Sequence, residues 1–478
     1  MSIKKKAVSG AFWTTIQTFS SQGIGFIVSI ILARLLEPEQ FGLIAMLGVV
    51  MALSNTIING GLTQSLIRSS NLVEEDYSTV FFFNLIGSLF IYFIVFLSAP
   101  FIADFYKQEQ LESVIKVYCL TLIINAFSTV QMTRLTKSMD FKIQMKISIP
   151  SLIIGSSVGI LLAYSGFGVW SLVWSALIQS LVATIQLWYS SKWRPLWVFS
   201  RDKFYFHFHY GFKLMFSGIL DTLFTNAYTI IIGKFFSSSQ VGYYNRANAL
   251  QMLPVSNLSS IITRVSFPLF AQIKEDNLRL KNIYKKIMQL VIYLVAPTLI
   301  FMAVLAEPLF RFLFTEKWLP AVPYFQILCL NGILYPIHSY NLQILTVKGR
   351  SDLFLKLEII KKIITLLALV VSFQFGIFGL LYGSVITSII CFFINTHYSG
   401  KFLHYSSWEQ MKDLLPIVLL SFLIGLLVFV FDFFLFVELN DLLRLVIGSA
   451  IGILLYLISS FIFKMSSFTE LKNLISKK

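Results

Sequence analysis

Charged residues are scarce in this sequence, and their scarcity excludes an ordinary soluble protein. Asp, Glu, Lys and Arg together make up 13% of the 478 residues, about half of the ~25% typical of soluble domains. Apolar residues make up 56%, and the mean hydropathy is +0.77. So little polar surface cannot cover so large an apolar core, and we therefore expect lipid to be the main solvent of the chain.

Residues that hold metals or carry out catalysis are also few. Three cysteines (Cys119, Cys329 and Cys391) lie in apolar runs without pairing or metal-ligand spacing. His207 and His209 are two positions apart in an aromatic, basic connection that we expect to be interfacial. We find no Gly-rich phosphate loop, no Ser/His/Asp order and no carboxylate pair. We therefore expect a protein that is not an enzyme and that has no catalytic residue, bound metal or cofactor.

Long apolar runs fill most of the sequence, and each is long enough for a transmembrane helix, which needs ~20 apolar residues. No connection between them is long enough for a soluble domain. We predict an all-α polytopic membrane protein with fourteen spans, the eighth and tenth being the least apolar. The predicted spans are 12–34, 41–62, 79–101, 114–134, 147–165, 168–189, 212–235, 244–268, 287–310, 322–346, 359–375, 377–396, 414–434 and 442–463.

The basic residues define a predicted topology. A net charge of +15 could indicate nucleic-acid binding, but no basic domain stands apart from the apolar runs. With the N-terminus inside, 30 of the 38 Lys and Arg residues fall on the inner side of the predicted spans. This bias follows the positive-inside rule and predicts that both termini are cytoplasmic. We therefore expect a membrane protein with no nucleic-acid partner.

An internal duplication divides the predicted spans. Ile30–Arg34 followed by Gln40-Phe41-Gly42 returns as Ile230–Lys234 followed by Gln240-Val241-Gly242, at an offset of 200. Phe167–Leu172 returns as Phe375–Leu380 at an offset of 208. We predict two parallel six-helix bundles, at 1–200 and 201–405, and two additional helices with a cytoplasmic tail at 406–478. The interface of such repeats commonly forms a transport path.

Polar residues at membrane depth are candidates for function, because they are costly there unless they face a cavity or a partner. Asp221, in the seventh span, is the candidate for ion coupling, since a carboxyl group at this depth can bind a proton or a cation. An internal ion pair that fixes helix contacts is the alternative.

Cations near the span ends are candidates for binding an anionic substrate, because Arg and Lys bind phosphate. For Arg34 and Lys234, snorkelling to the interface is the alternative. Snorkelling is also the alternative for Arg246 and Arg264, although their polar neighbours indicate a wet helix face. The candidate cavity residues are Arg246, Arg264, Arg34, Lys234, Asn245 and Gln251.

Three segments resemble the bacterial polysaccharide exporters of the Wzx type, in the branch of colanic-acid and teichuronic-acid exporters. They are Gly10–Trp13, Ala33–Gly42 and Val241–Ala247. The resemblance extends over nearly the whole chain. It places the sequence in the multidrug/oligosaccharidyl-lipid/polysaccharide exporter superfamily.

The resemblance implies a flippase of the bacterial cytoplasmic (inner) membrane. Such a protein would move an undecaprenyl-pyrophosphate-linked oligosaccharide to the outer leaflet, by alternating access driven by a proton or sodium gradient. Its partners would be the lipid-linked oligosaccharide, the coupling ion, membrane lipid and other polysaccharide-assembly proteins. The alternatives are a multidrug antiporter, a peptidoglycan-precursor flippase and a membrane polysaccharide polymerase.

Overall fold

The computed structural model describes residues 3–476, which form an all-α protein. Within that range there are nineteen α-helices and one short 3₁₀ helix, Glu316–Ala321. In chain order the α-helices are α1 (Ile3–Leu35), α2 (Pro38–Asn59), α3 (Leu62–Arg68), α4 (Glu74–Tyr106), α5 (Glu109–Tyr118), α6 (Leu120–Lys137), α7 (Phe141–Tyr164), α8 (Val169–Ser190), α9 (Arg201–Thr225), α10 (Ala227–Phe235), α11 (Ser238–Gln272), α12 (Asn277–Val304), α13 (Ala306–Phe314), α14 (Val322–Val347), α15 (Ser351–Phe373), α16 (Gly376–Leu403), α17 (Ser407–Phe434), α18 (Asp441–Ile462) and α19 (Ser466–Ser476).

The structure confirms a multi-pass membrane protein. In the described part of the chain, ten helical segments are long and apolar enough to cross a membrane. The predicted seventh span is a bent pair instead of a single helix, because α9 and α10 meet at Asn226 with a bend of 50°. Counting this pair as one span makes eleven.

Three of the predicted spans form helices of lower apolarity. α11 and α14 carry prolines and polar side chains along their length, and the first half of α15 carries Lys356, Glu358, Lys361 and Lys362. Their length agrees with the prediction, but their composition alone does not identify them as spans. The count of fourteen therefore stays a prediction.

Contacts divide the chain into two compact units, the first ending at Gly242 and the second beginning at Tyr243. In the first unit, α7 and α8 form a tightly packed hairpin, α1 packs on α7, and α4 packs on α5 and α6. α9 and α10 pack on α2 and α4 of the same unit. This boundary reflects packing, whereas the predicted boundary at residue 200 reflects sequence duplication and stays a prediction.

In the second unit, α12 lies at the centre and packs on α14 and α17, while α16 packs on α14 and α15. The helices that follow residue 406 belong to this unit. α17 packs on α12, and α18 packs on α13 and α17. A buried bidentate ion pair joins α17 to α18: Arg444 Nε and Nη2 lie 2.9 and 2.7 Å from the two carboxylate oxygens of Asp432.

The duplicated Gln-x-Gly segments have the same local structure. In the first copy, the backbone N–H of Glu37 donates to Gln40 Oε1 over 3.2 Å; in the second, the N–H of Ser237 donates to Gln240 Oε1 over 3.1 Å. Each glutamine thereby satisfies a backbone donor at the start of its helix, α2 or α11. The repeat in sequence is therefore also a repeat in helix initiation.

The glycines of these two segments contact each other's helix. A Cβ at Gly42 would lie 1.8 Å from the carbonyl oxygen of Ser238, and a Cβ at Gly242 would lie 2.0 Å from that of Pro38. The contact is reciprocal, because Pro38 and Ser238 are themselves 200 positions apart. Only glycine allows two backbones to approach this closely in an apolar environment.

Candidate functional site

Arg246 lies in the second unit on α11, half-buried beside two aromatic rings. The carbon at the centre of its guanidinium group is 5.1 Å from the ring centroid of Phe314 and 5.2 Å from that of Trp318. Stacking of this kind holds a planar guanidinium in place. The adjacent Asn245 is also half-buried, and both residues make further interactions.

Gln251 lies one and a half turns further along α11 and is buried, with 3% of its surface exposed. Its side chain fills the space beside Gly332 of α14, since a Cβ at Gly332 would be 1.8 Å from Gln251 Nε2. The structure therefore places this predicted cavity residue in a packed helix contact. Its role in binding substrate stays a prediction.

Arg264 is exposed near the far end of α11. It is eighteen residues from Arg246 on one continuous helix, and a rise of 1.5 Å per residue separates the two positions by about 27 Å. A single diphosphate group cannot contact both side chains. The structure therefore does not bring these two predicted cations into one cluster.

Arg34 and Lys234 occupy equivalent positions in the last turns of α1 and α10, within the first unit. Arg34 is exposed and makes further interactions. Lys234 is half-buried, and its Nζ lies 4.3 Å from the ring centroid of Phe105. Both positions agree with the duplication, while binding and snorkelling both remain open.

Asp221 is exposed on α9, five residues before the bend at Asn226. An exposed carboxylate at membrane depth requires water or a cation beside it, because hydrocarbon would not solvate its charge. Asp221 also makes interactions with other residues. Its role in ion coupling stays a prediction.

A buried polar network of the first unit joins α3, α4 and α9. Ser65 Oγ lies 2.8 Å from His207 Nδ1, and His207 Nε2 lies 3.1 Å from Asp76 Oδ1. The other oxygen of Asp76 accepts from the backbone N–H of Val73 over 2.9 Å and lies 3.2 Å from Lys203 Nζ. Ser65, Asp76 and His207 are each at most 3% exposed.

The hydrogen bonds of this group are mutually consistent. A carboxylate only accepts, so His207 donates from Nε2 to Asp76, and in the neutral imidazole Nδ1 then accepts from the Ser65 hydroxyl. Both ring nitrogens and both carboxylate oxygens thus have partners, as a buried polar network requires. The network fixes α3 and α9 against the start of α4.

Glycines bring α3 close to α9. Gly60 and Gly61 both have positive φ, 46° and 68°, and form the sharp turn between α2 and α3. On the other side of the contact, a Cβ at Gly211 would lie 2.0 Å from the carbonyl oxygen of Gly60. Leu62 and Leu66 then bury the apolar face of α3 in a cluster with Phe81.

The structure buries the His207 side chain fully within the protein, on α9, and the interfacial position expected for its segment stays a prediction. No Ser/His/Asp order is evident along the sequence, and the structure brings one residue of each type together. Ser65 and Asp76 belong to one predicted inner connection and His207 to another. The one signal in the sequence was a histidine on the same helical face as Lys203, four positions away.

Residues 31–323 match the sequence profile of a family described as polysaccharide biosynthesis protein. The chain belongs to this family. The match covers more than half of the sequence and includes both Gln-x-Gly segments, the Ser65–His207–Asp76 network and Arg246.

Curated relatives of this polysaccharide biosynthesis protein include the lipopolysaccharide biosynthesis protein WzxC of Escherichia coli (strain K12). It is 26% identical over 441 residues, which cover 89% of each chain. The teichuronic acid biosynthesis protein TuaB of Bacillus subtilis (strain 168) is 26% identical over 354 residues, 74% of this chain and 73% of that one. These matches confirm the resemblance to the Wzx type.

Among solved structures, the fold is similar to that of the lipid II flippase MurJ in an inward closed conformation. The TM-score is 0.77, with 94% of this chain and 98% of that chain covered. The sequences are 15% identical, so the likeness concerns the fold. It extends the all-α membrane architecture predicted from sequence to almost the entire length.

Proposed function

We propose that this protein is a flippase that moves an undecaprenyl-pyrophosphate-linked oligosaccharide from the inner to the outer leaflet of the bacterial cytoplasmic membrane. The observation that carries the proposal is membership of the polysaccharide biosynthesis family by a chain built almost entirely of membrane helices. The proposal includes cytoplasmic termini, and other polysaccharide-assembly proteins as partners.

The physical task agrees with such a chain. A diphosphate and several sugars cannot cross hydrocarbon unaided, whereas the polyprenyl tail stays in lipid throughout. A transporter needs only to bind the headgroup in two alternating states, without a chemical step. A proton or sodium gradient, acting through Asp221, would bias those states.

Two relatives support this proposal by name and one solved structure supports it by fold. WzxC and TuaB are named for the biosynthesis of lipopolysaccharide and of teichuronic acid. The similar fold of a lipid II flippase favours a peptidoglycan precursor as the second candidate substrate. Both substrates carry a polyprenyl diphosphate.

The test is transbilayer movement of a labelled polyprenyl-diphosphate oligosaccharide in proteoliposomes under an imposed proton or sodium gradient. We expect Arg246→Ala to slow movement at least about tenfold, because a charge-assisted contact contributes about 1.5–3 kcal/mol. Arg246→Lys retains the charge without the planar stacking, and its rate of movement should lie between those of the wild type and Arg246→Ala. Arg279→Ala, an exposed arginine on α12, is the matched control.

The outcomes separate the candidates. Movement of lipid II in preference to the oligosaccharide would support the peptidoglycan-precursor reading. Gradient-driven export of cationic drugs, without movement of either lipid, would establish the multidrug antiporter instead. Loss of movement in Asp221→Asn under one gradient only would assign the coupling ion.

A further inference from the structure

A large cavity lies within the first unit, beside the Ser65–His207–Asp76 network. Its volume is 1,120 Å³, and its walls come from α3, the loop after α3, the start of α4 and one face of α9. Small-molecule sites commonly occupy roughly 300–1,000 Å³. The cavity is therefore large enough for a headgroup of several chemical units.

The wall formed by α9 places two aromatic rings between two cations. Lys203, Phe206, Tyr210 and Lys213 all line the cavity, and their spacing of three and four residues places them on one face of the helix. Phe206 is 61% exposed. From the opposite wall, the guanidinium carbon of Arg68 lies 4.7 Å from the Tyr210 ring centroid.

Arg68 and Lys213 therefore flank Tyr210. Lys213 is one turn from Tyr210 on α9, at the spacing where side chains are neighbours, while Arg68 stacks on that ring from α3. Both cations are exposed. Two cations on either side of one ring match the two charged groups of a diphosphate.

The carboxylate nearest to the cavity is already neutralised. Asp76 accepts from Val73 N–H and His207, pairs with Lys203, and has a side chain only 2% exposed. Its charge is thus compensated by neighbouring donors and by Lys203. Asp202 is the other acidic residue of the lining, set against the two exposed cations.

Neutral donors complete the opposite wall. Ser70 and Asn71, in the loop between α3 and α4, line the cavity and are exposed. A hydroxyl and a side-chain amide donate hydrogen bonds to phosphate oxygens without adding charge. Cations and neutral donors on facing walls are an arrangement that suits an oxyanion.

We propose that this cavity binds the phosphate or diphosphate headgroup of a polyprenyl lipid, with Arg68 and Lys213 as its charged contacts. The inference rests on the proposed function for its physiological ligand. The predicted topology places α3 and the start of α9 on the inner side, where such a headgroup would be held before it moves. The site lies within the first unit and is separate from Arg246.

Binding to the purified full-length protein in detergent tests the site independently of transport. Isothermal titration calorimetry with farnesyl diphosphate should give saturable binding, and farnesol, which lacks the headgroup, should not bind. Inorganic pyrophosphate then shows whether the site recognises the free anion as well as the lipid-linked headgroup. Competition by pyrophosphate supports recognition of the headgroup itself, and farnesol binding as strongly as farnesyl diphosphate would overturn it.

The decisive variant is Arg68→Gln with Lys213→Gln, which we expect to weaken farnesyl diphosphate binding at least about tenfold. The matched control is Lys146→Gln with Lys192→Gln, two exposed lysines of the same unit that do not line the cavity. Equal affinity in the cavity variant and the wild type would refute the site. Since all four residues are exposed, thermal unfolding should be unchanged in both variants.

Failure of the site and failure of the proposed function give different results. Headgroup binding that depends on Arg68 and Lys213, with no movement of any lipid-linked sugar, would retain the site and reject the flippase. Movement of lipid-linked sugar at the wild-type rate in the cavity variant, with unchanged farnesyl diphosphate affinity, would retain the flippase and reject the site.

Discussion

The contact between the two Gln-x-Gly segments predicts opposite effects for two glycine-to-alanine substitutions on one helix. Gly42 and Gly48 both lie on α2, six residues apart. A Cβ at Gly42 would be 1.8 Å from the Ser238 carbonyl oxygen, whereas a Cβ at Gly48 would have nothing within 4 Å. Alanine in a helix interior is otherwise favoured over glycine by about 1 kcal/mol.

The magnitude follows from the geometry. A carbon–oxygen contact normally needs about 3.3 Å, so Gly42→Ala requires the two backbones to separate by about 1.5 Å. Overpacking of this kind costs about 1–3 kcal/mol or more, and the neighbour here is backbone, which cannot rotate away. We expect net destabilisation for Gly42→Ala and stabilisation of up to about 1 kcal/mol for Gly48→Ala.

Thermal unfolding measured with a thiol-reactive fluorescent maleimide suits this chain, because its three cysteines are free and buried. Cys119 lies in the same unit as Gly42, so its labelling by the maleimide reports the unfolding of that unit. At about 2–4 °C per kcal/mol for a unit of this size, Gly42→Ala should lower the midpoint by several degrees. A midpoint for Gly42→Ala equal to or above that of Gly48→Ala would refute the close contact.

Two further predictions concern buried polar pairs and use the same assay. Arg444→Met should destabilise by about 3–5 kcal/mol because it leaves the Asp432 carboxylate buried without its partner, and adding Asp432→Leu should recover most of the loss; a double variant as unstable as the single one would contradict this. His207→Phe keeps the ring but removes the bonds to Ser65 and Asp76, and we expect a loss of about 2–3 kcal/mol. His209→Phe, exposed two positions away, should change stability by less than about 0.5 kcal/mol.

The predicted spans show where sequence reasoning was sufficient. Most of the predicted C-terminal boundaries lie within a few residues of helix ends, because a run of ~20 apolar residues in lipid must satisfy its backbone as a helix. Most of the predicted N-terminal boundaries lie five or more residues inside the helices, which begin before the apolar run. The bend at Asn226 was not predicted. A break of one residue barely changes the average apolarity of the window that identifies a span.

The candidate site was predicted less completely. Arg246 lies on α11 beside two aromatic rings and its binding role stays a prediction, whereas Gln251 is packed against Gly332 and Arg264 is about 27 Å from Arg246 along the helix. Periodicity indicates which residues share a helix face. It does not indicate which part of that face another helix will cover.

The sequence alone was sufficient to predict that lipid is the main solvent of the chain, that the fold is all-α and that the chain contains a duplication. Each of these properties depends on composition or on the order of residues along the chain. The sequence showed that the segments of Gly42 and Gly242 are repeats, but it did not show that these segments contact each other. Only the tertiary structure decided that Ser65, Asp76 and His207 form one network. They come from two connections more than a hundred residues apart, and only the packing of α3, α4 and α9 brings them within hydrogen-bonding distance.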